Sequence, residues 1–355
     1  MTTTRVPREG LAPSPLDGLE ASVQREIAAR REPSGVLVQI YRGAIPGPTP
    51  QARRDRLAGY LDQLRALGLT GVVFHGFPSE LLSAWDGLAH LASERGLQAL
   101  ASWGLDGKAT TPAVKGDLIG QVLARPTCAA GLLDAEGQWD TDAGPADDMD
   151  EAGALALGRA IRARAPHALV GDQPWYAIDS HGSVRRTAKP IDQGGVFGGF
   201  PVDEFATVAT WGRFRQAYIY NHLGPSCGYR ATFERMDREW ATIRPALVAA
   251  GLDRPLRVTV QGYRWKLHEL VDALLTRCVL PQVPLVMWSE PFPDDVALQA
   301  IGAAIFLRDA GYVALDARRT VLAFQVDFNR LAPEARRLTE DGWWGPATHA
   351  AAGLP

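Results

Sequence analysis

The feature that most constrains this chain is an alternation: from Gly35 onward, short runs rich in branched and aromatic residues are separated by longer segments of helical periodicity. Apolar runs of that kind need cover on both faces, and a helix after each one supplies it, which is the pattern of repeated βα units around a parallel sheet. Eight runs can be counted, at 36–41, 71–75, 97–103, 129–134, 168–171, 216–220, 256–261 and 284–288. Helical patterns fall between them at 51–67, 81–95, 151–164, 231–250 and 268–278, and several stop at Gly or Pro. The arrangement predicts an α/β fold, a (β/α)8 TIM barrel with a small C-terminal α-helical module. The fifth unit is the least regular, because 172–211 reads as a long Gly-rich loop of the kind that carries function.

Residues 1–33 are polar and Pro-punctuated, an N-terminal arm; 34–312 form the barrel, and 313–355 the module. Two readings of 296–312 stay open, as the module's first helix or the eighth barrel helix. At 46% hydrophobic the 355 residues supply a large core, while a net charge of −3 offers no general attraction to phosphate backbones, so nucleic acid is not an expected partner. No apolar run approaches the roughly 20 residues of a membrane span. The first residues contain no apolar h-region, so a Sec signal is not expected. Synthesis in the cytoplasm and action elsewhere would then require release by lysis, or carriage by a phage or injection apparatus. Cys128, Cys227 and Cys278 are odd in number and lack metal spacing, which predicts free thiols. His75, His181 and His222, taken with Asp172, lack ligand spacing too, so neither a metal nor a cofactor is expected. The glycines at 194–199 lack the Lys and Ser/Thr of a phosphate loop and read as a rim loop.

In a TIM barrel the chemistry lies at the C-terminal strand ends, so polar residues there are the candidates. The fourth run ends with Asp134 and Glu136, two residues apart and therefore on one side of an extended strand. Paired carboxyls raise the pKa of one member, which leaves an acid to protonate a glycosidic oxygen while its neighbour stays ionised. Glu136 is the predicted acid. Asp172 and Glu290, at the ends of the fifth and eighth runs, are candidate partners, and Asp106 is a further rim carboxylate. Trp103, Trp139, Trp175, Tyr218, Tyr220, Asn221, Gln261 and Trp288 cluster near predicted strand ends, where aromatic faces and amides suit sugar rings.

The D-x-E of Asp134 and Glu136 on a fourth strand resembles the family 25 glycoside hydrolases, the Chalaropsis-type lysozymes. Their first-strand aspartate has no counterpart here, where Gln39 and Tyr41 stand. The run at 286–290 is similar to the V-W-S segment of family 18 chitinases, and 217–222 to their M-x-Y-D segment with Asn221 in the aspartate's place, although the full family 18 acidic signature is missing. Both families cleave N-acetylated amino sugars. The tail adds Phe324-Gln325 and then Asp341-Gly342-Trp343-Trp344-Gly345-Pro346-Ala347-Thr348. This resembles the second half of the three-helix peptidoglycan-binding domain, with its F-Q helix and D-G-x-x-G-P-x-T turn. The family's first such turn is replaced here by Ala314 to Arg318. The resemblance implies wall binding, with Trp343 and Trp344 as contacts and at least one of them exposed. Together these imply a peptidoglycan hydrolase that cleaves β-1,4 glycan bonds. The alternatives are a catalytically reduced wall-docking barrel and a glycosidase for another polysaccharide.

Overall fold

The structure is a computed structural model and describes residues 36–105, 110–135, 151–166, 168, 170–174, 204–208, 256–261, 265–276, 285–289, 292–312 and 316–354. Eight strands pair in sequence order, all parallel, into a closed barrel: β1 (Val36–Tyr41), β2 (Gly71–Gly76), β3 (Gln98–Gly104), β4 (Cys128–Ala135), β5 (Val170–Pro174), β6 (Glu204–Val208), β7 (Leu256–Gln261) and β8 (Leu285–Ser289). The described helices are α1 (Pro50–Ala66), α2 (Pro78–Ser93), α3 (Pro112–Leu123), α4 (Glu151–Arg164), α5 (Leu267–Leu274), α6 (Asp295–Asp309), α7 (Ala317–Leu331) and α8 (Pro346–Ala351).

The helix starts follow from local chemistry. Proline opens α1, α2, α3 and α8, where its fixed φ suits the first turn and its missing N–H costs nothing. Thr49, Thr111, Asp294 and Asp316 each accept a backbone N–H of the first turn of α1, α3, α6 and α7, a cap worth about 1 kcal/mol.

The sixth strand departs from the expectation at 216–220. Its place is filled by Glu204–Val208, where Gly171 pairs with Glu204 and Phe205 with Leu256. Phe205, Thr207 and Val208 are good strand formers, but the surrounding glycines and prolines hide so short a run inside what reads as loop. Residues 216–220, and with them Tyr218, Tyr220 and Asn221, lie outside the described residues. β5 also begins two residues later than expected, because the turn after α4, with the Ala168 N–H on the Ala165 carbonyl, takes up the chain first.

Side chains on the two faces of the sheet form separate apolar clusters. Leu37, Val73, Leu100 and Leu132, with Ala130 against them, fill the barrel interior. The alternate residues, among them Val38, Phe74, Ala101 and Leu133, meet the helices in the larger outer core. This assigns 296–312: α6 packs on α5, and on its other side a Cβ added to Gly302 would come within 2.7 Å of Leu67 after α1. It follows β8 and lies between α5 and the end of α1.

The tail continues the outer core. The Phe324 ring on α7 lies 5.5 Å from Phe306 of α6 and 5.5 Å from Trp344, and all but Phe306 are fully buried members of the core.

Candidate functional site

The interior parity of the first four strands brings polar groups to the C-terminal mouth above the apolar plug. Tyr41, His75, Ser102 and Leu132 occupy successive register positions across β1 to β4, and one step further along come Gly104 and Asp134. His75 is 8% exposed, its Nδ1 lies 3.1 Å from Ser102 Oγ, and the Tyr41 ring sits 5.3 Å away. Burial lowers the His75 pKa from 6.5 to about 4, so at neutral pH the ring is an uncharged donor and acceptor. Its Nε2 edge passes 3.6 Å from where a Gly104 Cβ would be, so the glycine leaves the imidazole room toward the β4 end.

Asp134 is half-buried at the end of β4. Its carbonyl accepts the Leu105 N–H at 3.1 Å, which ties the ends of β3 and β4 together. Lys115 of α3, 3% exposed, donates to the Leu105 carbonyl and so holds the same residue at its other backbone group. Gln39 is buried on β1, its Oε1 without a partner among the described residues, in register with Trp288, which in turn pairs with Gln261. Gln39, Trp288 and Gln261 thus share one level across three adjacent strands.

Several sequence candidates move. Asp172 is part of β5 rather than a rim residue beyond it, paired with the outer-layer Leu133; Gln173 is the residue in register with Asp134. Trp103, expected to meet sugar, is 0% exposed on the outer face, its ring over Gly131, where a Cβ would meet it at 2.5 Å. The alternation of Ala99, Ala101 and Trp103 against Leu100 and Ser102 puts it on the helix side. Trp344 is likewise 1% exposed and packed, with its indole N–H on His349 Nδ1 at 3.3 Å, so it is not available to a ligand. Trp343 is 39% exposed, with Arg318 over its ring and His268 of α5 at its edge. Glu136, Trp139, Trp175, Glu290, Asp106, His181 and His222 lie outside the described residues. Among the described residues no group of three His, Cys, Asp or Glu could hold a metal, and no helix is long and apolar enough to cross a membrane. Ser102 and Lys115 were missed by sequence reasoning; the signal for Ser102 was a hydroxyl on the interior parity of an otherwise apolar strand.

The tail motif has a structural explanation. Gln325 Nε2 donates to Asp341 Oδ1 at 3.0 Å and to the Trp343 carbonyl at 3.0 Å, and its Oε1 accepts the Gly342 N–H at 2.8 Å. Thr348 Oγ1 is also within reach at 3.3 Å. Gly342 has φ +72°, a conformation that side chains disfavour, and a Cβ there would strike Arg318. The F-Q and D-G-x-x-G-P-x-T residues are therefore the ones that build this turn.

No protein-family model and no curated protein matches the sequence. Solved structures similar to the chain include glycoside hydrolases and a putative deoxyribose-phosphate aldolase of Toxoplasma gondii. Cel5A of Thermotoga maritima, in complex with mannotriose, is 12% identical over 76% of this chain and 98% of its own, with a TM-score of 0.46. The PgaB glycoside hydrolase domain of Bordetella bronchiseptica is 12% identical over 77% and 98%, TM-score 0.46. A GH5_18 protein of Streptomyces cattleya, in complex with GlcNAc, is 16% identical over 71% and 74%, TM-score 0.48.

Proposed function

We propose that the barrel is a glycoside hydrolase acting on a polysaccharide, with Asp134 and Glu136 at the end of β4 as its carboxyl pair. The observation that carries this reading is the position of Asp134: a carboxylate on the interior parity of β4, at the C-terminal mouth to which β2 and β3 also bring an uncharged His75 and the Ser102 hydroxyl beside it. A glycosidase needs such carboxylates for acid, base or nucleophile, and hydrogen-bonding neighbours to hold sugar hydroxyls. In this reading Glu136 protonates the leaving oxygen. Asp134 stays ionised and either stabilises the developing positive charge or orients the substrate's N-acetyl group, and Glu290, the residue after β8, is the candidate second carboxylate.

The finer reading is the β-1,4 glycan of peptidoglycan, supported by the tail's resemblance to a wall-binding module and by the exposed Trp343. The second reading, a glycosidase for another polysaccharide, is favoured by the burial of Trp344 in the barrel's own core, which makes the tail part of the enzyme rather than a separate anchor. Purified sacculi, chitin, cellulose and mannan, each incubated with the protein and analysed by mass spectrometry, separate the two. Reducing-end muropeptides support the first reading and sugar oligomers from another polymer support the second. Glu136→Gln should lower turnover by about 10²–10⁴-fold. Intact polymers throughout, or a fully active Glu136→Gln, would sink the proposal.

A further inference from the structure

A cleft of about 470 Å3 opens on the outside of the barrel between α1 and α2, within the range of small-molecule sites. Its composition changes along its length. At the end nearest the barrel mouth stand Arg42, after β1, and Arg53 and Arg54, in the first turns of α1, with Glu80 as the one carboxylate of the lining. At the other end the walls are Leu57 of α1 and Leu88 and Leu91 of α2. Between the two, α2 presents Ala84 and Gly87, and a Cβ on Gly87 would find nothing within 4 Å, so these small residues hold the cleft open. From Glu80 to Leu91 the α2 wall runs about 16 Å at 1.5 Å per residue.

The cationic end is built for an anion. Arg42 Nη1 donates to the Glu80 carbonyl at 3.2 Å, which spans the two walls, and Arg53 Nε donates to the Gly47 carbonyl at 3.3 Å. Among the described residues each bond uses one N–H and leaves the rest of the guanidinium fork unused. None of the three arginines makes an ion pair among the described residues. Glu80 Oε2 is buried, 3.5 Å from where a Gly76 Cβ would lie, so that oxygen is turned to the end of β2. The N-terminal ends of α1 and α2 add positive potential at the same end.

We propose that this cleft binds an amphiphile with a single anionic head, the head held by Arg42, Arg53 and Arg54 and the apolar body lying along Leu57, Leu88 and Leu91. A carboxylate and a phosphate both match the planar guanidinium fork. The site is independent of the barrel mouth, and its test does not involve polysaccharide turnover.

Calorimetric titration of the full chain with decanoate, decyl phosphate and decanol tests it. At least one of the two anions should bind saturably at one per chain, and the tighter of them identifies the head. Decanol should bind about tenfold or more weakly, since it offers the same chain without the charge. Arg54→Glu should erase most of that preference while leaving decanol binding unchanged. Gly87→Leu fills the middle of the cleft from an exposed helix position and should abolish binding of the anions, while the thermal midpoint holds or rises because leucine is the better helix former. Absence of saturable binding by either anion, equal affinity for the anions and decanol, or undiminished binding to Gly87→Leu would overturn the proposal.

Discussion

His75 is buried as a neutral ring, and that fixes how the mouth responds to acid. In the unfolded chain its pKa returns to about 6.5, so between that pH and about 4 the unfolded state binds the proton and the folded state does not. The contribution is complete above pH 6.5 and is lost as the pH falls, at up to about 1.4 kcal/mol per pH unit. The thermal midpoint of the wild type should therefore drop more steeply from pH 6.5 to 4.5 than that of His75→Gln; parallel curves would refute the burial of a neutral ring. Cys128 gives a second readout. Burial pushes its thiol up to about 12, so in the native protein it should resist iodoacetamide at pH 8 and react only after denaturation, which peptide mapping would reveal. How far the sequence announces such residues depends on parity. His75 and Ser102 break the apolar alternation of their strands and are legible as inward polar groups. Trp103 misled because an indole near a strand end serves the outer core as readily as a sugar cleft, and the small residues before it were the clue to its face.

Among the elements, the strongest sequence signals were the runs with clean alternation and uninterrupted composition. β1 and β7 lie where the pattern put them, and β2, β3, β4 and β8 within a residue. β6 was illegible because five residues between glycine-rich segments carry too little periodicity, while the aromatic run after it looks more like a strand than β6 does. The tail turn is the opposite case: nearly every residue of its motif is legible because each bonds to Gln325 or closes the turn around it. Gln325→Leu would bury the Gly342 N–H without an acceptor and free the turn. It should cost about 1–3 kcal/mol in denaturant unfolding, whereas Thr111→Ala, which removes only the α3 cap, should cost about 1 kcal/mol.

Across the whole molecule the tail and barrel share one hydrophobic core, which predicts a single cooperative transition. Trp344→Ala should lower the stability of the entire chain by about 3–5 kcal/mol, as expected for a fully buried indole, while Trp343→Ala should have a small effect on stability. A separate low-temperature transition for the tail in calorimetry would show that the two fold independently. The closed ring has a further consequence for biosynthesis. β1 finds its second neighbour only in β8, when Val36 to Ile40 pair with Leu285 to Ser289. Until that last strand emerges from the ribosome, the growing chain carries two unpaired sheet edges, each a template for pairing with another nascent chain. A chain terminated before Leu285 should therefore accumulate as aggregate in cells, and holding back the arrival of β8, rather than weakening any single contact, is the simplest way to make this protein fail.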